Sequence, residues 1–107
     1  MAKFTIVSGY LMAEACEPVE ARSPLEAAIL AHRQMLRDAK RALDGFSYEE
    51  HSGDWGKAGA QTRRDGSGNG AQSLDDCLLI CPGDYSDTHE FSRADAVSIV
   101  RCIEDAQ

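Results

Sequence analysis

The clearest hydrophobic pattern along the chain is a helical one, and it runs from Ser23 to Gly45. Ser23 is a typical N-cap, Pro24 suits the first helical position, and Gly45 is a typical stop. The apolar positions between them share one helical face: Leu25, Ala28, Ile29, Leu36, Ala39 and Leu43. This pattern predicts a long amphipathic helix against which the rest of the core packs.

Two segments before this helix have the composition of strands. The stretch from Phe4 to Met12 places apolar side chains on both faces, which predicts a central strand of a sheet. The stretch from Cys16 to Arg22 contains Pro18, which has no amide proton for a strand ladder. We therefore expect this second strand at an edge of the sheet.

Two further elements are predicted after the helix. The apolar run from Cys77 to Cys81 ends a segment, Leu74 to Cys81, that has the character of a buried strand. Ser92, with Asp95 at the capping-box position, predicts a final helix. The inward stripe of that helix would be Ala96, Val97, Val100 and Ile103. From Glu49 to Ser73 the chain is rich in glycine and poor in large apolar residues, which indicates a long loop or a loose hairpin.

These elements and the length of 107 residues predict one α+β domain over residues 1–107, with a flexible glycine-rich segment at about 49–73. We expect two layers, in which a mainly antiparallel sheet of three to five strands is covered on one face by two helices.

The charge of the chain indicates which classes of partner it can bind. There are 18 acidic and 11 basic side chains, a net charge of −7, which disfavours direct binding of nucleic acid or of anionic lipid. From Asp75 onward the sequence contains eight acidic and two basic residues. The expected partner is a basic protein surface, and the alternative is an ordinary solubilising surface. The predicted partner-binding residues are Asp75, Asp76, Asp84, Tyr85, Asp87, Glu90 and Trp55.

Location follows from two features of the sequence. The N-terminus lacks the apolar core of a signal peptide, and no apolar run approaches the roughly 20 residues that span a bilayer. We therefore expect a cytoplasmic protein without membrane contact, whose four cysteines are reduced thiols.

Candidate chemistry is sparse. Asp84, Asp87, His89 and Glu90 could place divalent-cation ligands in one loop, so a small metal-dependent enzyme or metal-binding module that uses His89 with those carboxylates is the alternative function. Cys77 and Cys81 would lie roughly 13 Å apart on a strand, too far to share a zinc ion. For His32, on the apolar stripe, we expect a partly buried ring with a backbone partner. No catalytic residue, metal or cofactor is predicted.

A family resemblance adds a concrete partner. The strand Lys3-Phe4-Thr5-Ile6-Val7, followed by Val19-Glu20-Ala21-Arg22-Ser23 and then Leu25-Glu26-Ala27-Ala28, resembles the opening of many small phage-encoded accessory proteins. In size, acidity and lack of a catalytic motif the chain is similar to acidic α+β inhibitors of the anti-CRISPR type. This resemblance implies a nucleic-acid mimic that occludes a nucleic-acid-binding or nuclease-recruiting surface, such as that of a CRISPR complex. An accessory subunit of a larger bacterial complex is a further alternative.

Overall fold

The computed structural model describes residues 1–8, 14–15, 18–58, 77–85 and 93–105. These ranges contain six strands and one helix. In chain order the elements are β1 (Ala2–Ser8), β2 (Glu14–Ala15), β3 (Val19–Ala21), α1 (Pro24–Asp38), β4 (Phe46–Ser52), β5 (Cys77–Pro82) and β6 (Ser98–Glu104). The α+β class is therefore confirmed, whereas the prediction of two helices is wrong for the described part of the chain.

The strands form one antiparallel sheet in the order β2-β1-β5-β6-β4, and β3 also pairs with β1. Strands β2 and β3 follow each other along the same edge of β1, so the sheet is five strands wide. Phe4 is opposite Val19 and Val7 is opposite Ala15. The central position of β1 and the edge position of β3 are as the sequence predicts.

The helix α1 begins where the sequence predicts and ends earlier. The Ser23 hydroxyl accepts a hydrogen bond from the Glu26 amide at 3.1 Å, and Pro24 is the first helical residue. At the other end Lys40 adopts a left-handed conformation with φ of 56°, and the Arg41 amide donates to the Leu36 carbonyl at 2.8 Å. This closure satisfies helical carbonyls before Gly45 is reached, so the predicted end at Gly45 is wrong.

Apolar side chains are buried on both faces of the sheet. On the face covered by α1, called here the helix face, the central strands pack against small helical residues: Phe4, Ile6, Leu78, Ile80 and Val100 against Ala27, Ala28 and Ala31. On the opposite face, called the loop face, they pack against residues from connecting segments: Val7, Leu79, Cys81 and Ile99 with Ala58, Ala94 and Ala96. Burial on two faces explains the continuous apolar run of β5, and the predicted buried strand at Cys77–Cys81 is confirmed.

The segment predicted as a second helix is the strand β6. Its β-branched residues Ile99 and Val100 point to opposite faces of the sheet, and both are buried between β5 and β4. The helical spacing of apolar residues was misleading because a strand that is buried on both faces also carries closely spaced apolar positions. Strand β4 likewise extends through Ser52, into the segment expected to be irregular from Glu49.

Candidate functional site

A cavity of about 670 Å³ lies between the C-terminal half of α1 and the paired ends of β4 and β6. Its apolar wall is formed by two helical side chains, Met35 and Leu36, and by Phe46 and Cys102 from the sheet. Polar groups of His32, Asp38, Arg41 and Glu104 also line it. A cavity of this size and composition is typical of sites that receive a small molecule or a side chain of a partner.

His32 lies in the wall of this cavity and is only 9% exposed. Its Nδ1 is 2.8 Å from the Tyr48 hydroxyl oxygen, so the two groups share a hydrogen bond. The imidazole also lies edge-on to Phe46, with ring centroids 4.8 Å apart, and to Tyr48, at 5.5 Å. Two aromatic residues of the edge strand β4 therefore fix the position of a ring that belongs to the helix.

The surroundings of this pair shift the pKa values of both groups. Burial lowers the pKa of His32, and the positive charge of Arg41 lowers it further. Burial raises the pKa of Tyr48, Cys102 contributes in the same direction, and Arg33 opposes it. Both side chains are consequently neutral near pH 7, and the hydrogen bond between them joins two uncharged groups.

The rim of the cavity carries one charge of each sign close together. Arg41 Nη2 is 3.6 Å from Glu104 Oε2, and its guanidinium carbon is 5.8 Å from the centre of the Phe46 ring. Both charged side chains are mostly exposed, so this ion pair adds little to stability. Its effect is local, because it places a carboxylate beside the guanidinium that lies over Phe46.

Acidic side chains concentrate on the two strands beside the cavity. We name residues 44–52 and 98–105 the acidic strand pair, because they contain five acidic residues and one basic residue. The acidic residues are Asp44, Glu49, Glu50, Glu104 and Asp105, and the basic one is Arg101.

Three of these carboxylates are held by neighbouring side chains. Glu50 accepts a hydrogen bond from the buried Ser98 hydroxyl at 3.0 Å, and Asp105 accepts one from the Ser47 hydroxyl at 2.6 Å. Glu49 Oε1 lies 2.9 Å from the imidazole Nε2 of His51.

The predicted partner-binding residues are only partly within the described residues. Trp55 and Tyr85 are half-buried and pack against the same apolar cluster on the loop face, so their rings belong largely to the core. Trp55 Nε1 donates to the His51 carbonyl at 2.7 Å, and the Tyr85 amide donates to Thr5 Oγ1 at 2.9 Å. Asp84 is exposed just after β5. Asp75, Asp76, Asp87 and Glu90 lie outside the described residues.

Sequence reasoning placed His32 and Leu36 on the apolar face of the helix, but it did not predict the cavity and missed most of the acidic strand pair. The sequence did carry a signal for the strand β4, because Phe46 and Tyr48 alternate with polar residues, as in a strand with one buried face. Glu49 and Glu50 then break this alternation. The edge of a sheet tolerates that break, whereas a central strand does not.

The alternative metal site cannot be placed, since His89, Asp87 and Glu90 lie outside the described residues. Within the described ranges no group of three or more His, Cys, Asp or Glu side chains comes together as a metal site. Cys77, Cys81 and Cys102 are thiols, and Cys16 lies outside the described residues. Burial, with a smaller contribution from Asp95, raises the pKa of the Cys81 thiol to about 12.

Comparison of the chain with protein-family models, with curated proteins and with solved structures gave no match. No helix in the part of the chain that the structure describes is long and apolar enough to cross a membrane.

Proposed function

We propose that this protein is a small acidic binding protein that docks on a basic surface of a partner protein and has no catalytic activity of its own. The observation that supports this proposal is the five-to-one excess of acidic residues on the acidic strand pair, at the edge of the sheet. A concentrated negative surface accelerates encounter with a basic groove and repels nucleic acid and acidic proteins.

The chemistry of the cavity agrees with binding better than with proton transfer. His32 and Tyr48 are hydrogen-bonded to each other and packed among aromatic rings, and both are neutral near pH 7. A general base needs a pKa near the working pH, whereas burial and Arg41 move the pKa of His32 downward. The pair therefore acts as a support that holds α1 and β4 together around an apolar cavity.

A basic groove that normally holds nucleic acid is the partner that best complements this surface. The resemblance to anti-CRISPR-type inhibitors supplies a concrete candidate, a bacterial nuclease or surveillance complex whose groove the acidic protein would occlude. The accessory-subunit function would use the same surface and would differ only in the outcome of binding. Inhibition of the isolated complex by a stoichiometric amount of this protein distinguishes the two.

The test is capture of partners from a bacterial lysate, followed by kinetics on the purified partner. We expect the association rate to fall as salt is raised, because screening shortens the range of the charges. The variant Glu49→Lys should associate more slowly than the parent at low salt. The triple variant at Asp84, Asp87 and Glu90, each changed to Lys, tests the acidic surface that the sequence predicts.

The matched control for Glu49→Lys is Glu20→Lys. Both glutamates are exposed on strands, but Glu20 lies on β3 at the opposite edge of the sheet. A general effect of net charge would slow both variants equally. If Glu49→Lys and the triple variant both associate as fast as the parent at low salt, docking through an acidic surface is wrong.

A further inference from the structure

The outer edge of β4 has no strand beside it among the described residues. The ladder between β4 and β6 determines which backbone groups of β4 point towards that edge. The Asp105 amide donates to the Gly45 carbonyl at 2.7 Å, and the Gly53 amide donates to the Val97 carbonyl at 2.9 Å. These bonds flank β4 at its two ends and fix the alternation of the antiparallel ladder between them.

The alternation divides the backbone groups of β4 into two sets. Those of Ser47, Glu49 and His51 point towards β6 and are paired in the sheet. Those of Phe46, Tyr48, Glu50 and Ser52 point away from the sheet. The outer edge of β4 thus presents a row of amide and carbonyl groups that matches what an additional strand requires.

We propose that this edge receives an extended basic segment of the partner protein, which joins the sheet as a further strand next to β4. This inference rests on the proposed function and names the element through which docking occurs. Main-chain hydrogen bonds to the outward groups of Phe46, Tyr48 and Glu50 would align the segment. Its side chains would then be selected by the two faces of β4.

The charge of β4 determines which segment fits. Glu49 and Glu50 are consecutive and point to opposite faces, so a strand laid along the edge meets a carboxylate on each face. Ser98 holds the Glu50 carboxylate on the helix face. Arg101 is opposite Glu49 but lies on β6, on the side away from the open edge. A basic side chain on each face of the incoming segment is therefore favoured.

The same charges argue against a second copy of this chain as the occupant. Antiparallel pairing of two β4 strands around their centres would place Glu49 of one copy directly opposite Glu49 of the other, with the two Glu50 residues diagonal to each other on the opposite face. Like charges opposite each other on neighbouring strands are destabilising. Glutamates on an edge strand thus prevent self-association while still attracting a basic segment.

The apolar part of the edge adds a further requirement. Phe46 and Tyr48 project their half-buried rings onto the helix face, next to the open edge. Residues of the segment opposite these rings should be apolar. An antiparallel probe with the sequence Thr-Lys-Lys-Val-Thr-Val meets all the conditions, because its six residues lie opposite His51, Glu50, Glu49, Tyr48, Ser47 and Phe46 in that order.

Amide hydrogen exchange of the full chain, measured by NMR with and without this peptide, tests the inference. In the free protein the amides of Tyr48 and Glu50 should exchange much faster than those of Glu49 and His51. At a peptide concentration about ten times its dissociation constant, the Tyr48 and Glu50 amides should gain about tenfold protection. The peptide with both lysines replaced by glutamate should give none.

Backbone methylation of the peptide separates strand pairing from charge attraction. The valine opposite Tyr48 would direct its amide towards β4, so methylation of that nitrogen should abolish protection. Methylation of the lysine opposite Glu49 is the matched control, because that amide points away from β4 and protection should remain. Equal effects of the two methylations would overturn strand pairing.

Several further results would contradict the addition of a strand next to β4. Strand addition is wrong if Tyr48 and Glu50 are already as protected as Glu49 in the free protein, or if their protection rises with protein concentration alone. It is also wrong if the peptide shifts resonances without protecting these amides, or does not bind. The proposed function is judged separately by the association rate of Glu49→Lys with the purified partner, so either can fail alone.

Discussion

The imidazole of His32 and the phenol of Tyr48 are joined by a hydrogen bond whose heavy atoms are 2.8 Å apart. This bond connects the middle of α1 to the edge strand β4. The two residues also pack edge-on, with centroids 5.5 Å apart. The hydrogen bond thus links the side chains of the helix and of the strand that carries the proposed docking edge. Its loss should lower the stability of the fold and change the shape of the cavity.

The lowered pKa of His32 predicts a pH-dependent stability. Its pKa in the folded state lies below the ordinary value of 6.5, so below that pH the unfolded chain binds a proton that the folded chain does not. The free energy of unfolding should therefore decrease as pH falls below 6.5, and this contribution should be absent above it. Urea denaturation at about pH 7.5 and about pH 5.5 measures the change.

The variant His32→Gln isolates this contribution. It removes the titrating group, so the difference in unfolding free energy between the two pH values should shrink. His51→Gln is the control, because the His51 side chain is about half exposed on the other face of β4. An identical pH dependence in the parent and in His32→Gln would show that His32 does not contribute.

Removal of a core side chain from α1 should be costly. Leu36 is 3% exposed and lines the cavity, so Leu36→Ala should lower the free energy of unfolding by about 2–5 kcal/mol. Leu30 is 40% exposed on the same helix, and Leu30→Ala should change the free energy of unfolding by no more than about 0.5 kcal/mol. Chemical denaturation of both variants checks the assignment of the buried face. Similar costs for the two would mean that the helix is rotated from the orientation described here.

The buried hydroxyl of Thr5 should be needed to hold the turn after β5. It donates to the Gly83 carbonyl at 2.8 Å and accepts from the Tyr85 amide at 2.9 Å. Thr5→Val keeps the shape but leaves these backbone groups without their partner, at a cost of about 1–3 kcal/mol. The Tyr85 amide should then exchange faster. Thr5→Ser retains the hydroxyl and should preserve protection of that amide, and equal exchange in the two variants would contradict the bond.

Cys81 should be the least reactive of the described thiols. It is fully buried, and its pKa of about 12 leaves very little thiolate near neutral pH. Alkylation with iodoacetamide under native conditions, followed by peptide mass spectrometry, should label the half-buried Cys102 faster than Cys81. Unfolding in denaturant should equalise the two rates. Rapid labelling of Cys81 in the native protein would show that β5 opens readily.

Elements with local signals were predictable from the sequence. Ser23 and Pro24 define the start of α1 because capping depends on neighbours three residues away. The buried strand from Cys77 to Cys81 was predictable because its apolar run is continuous. The end of α1 was not, because Lys40, a residue type that seldom adopts a left-handed conformation, takes the place in which glycine is usual.

Features that depend on distant residues were not predictable. Whether residues 98–104 form a helix or a strand is decided by β5 and β4 on either side, and not by the spacing of Val97, Val100 and Ile103. The expected backbone partner of His32 is instead the side chain of Tyr48, sixteen residues away. The cavity joins residues from 32 to 104, and no short window of sequence contains them together.

The pairing of β1 with β5 has a consequence for how the chain acquires its structure during synthesis. Thr5 is joined to Tyr85 across 80 positions, and the strand at the start of the chain reaches its neighbour only when residues beyond 77 have been made. Until then the apolar side chains of β1 and α1 lack the residues of β5 and β6 against which they pack. Such long-range closure places folding in the slow range of small domains, on the order of milliseconds to seconds. The central strand β1 therefore lacks one of its neighbours until β5 has been synthesised.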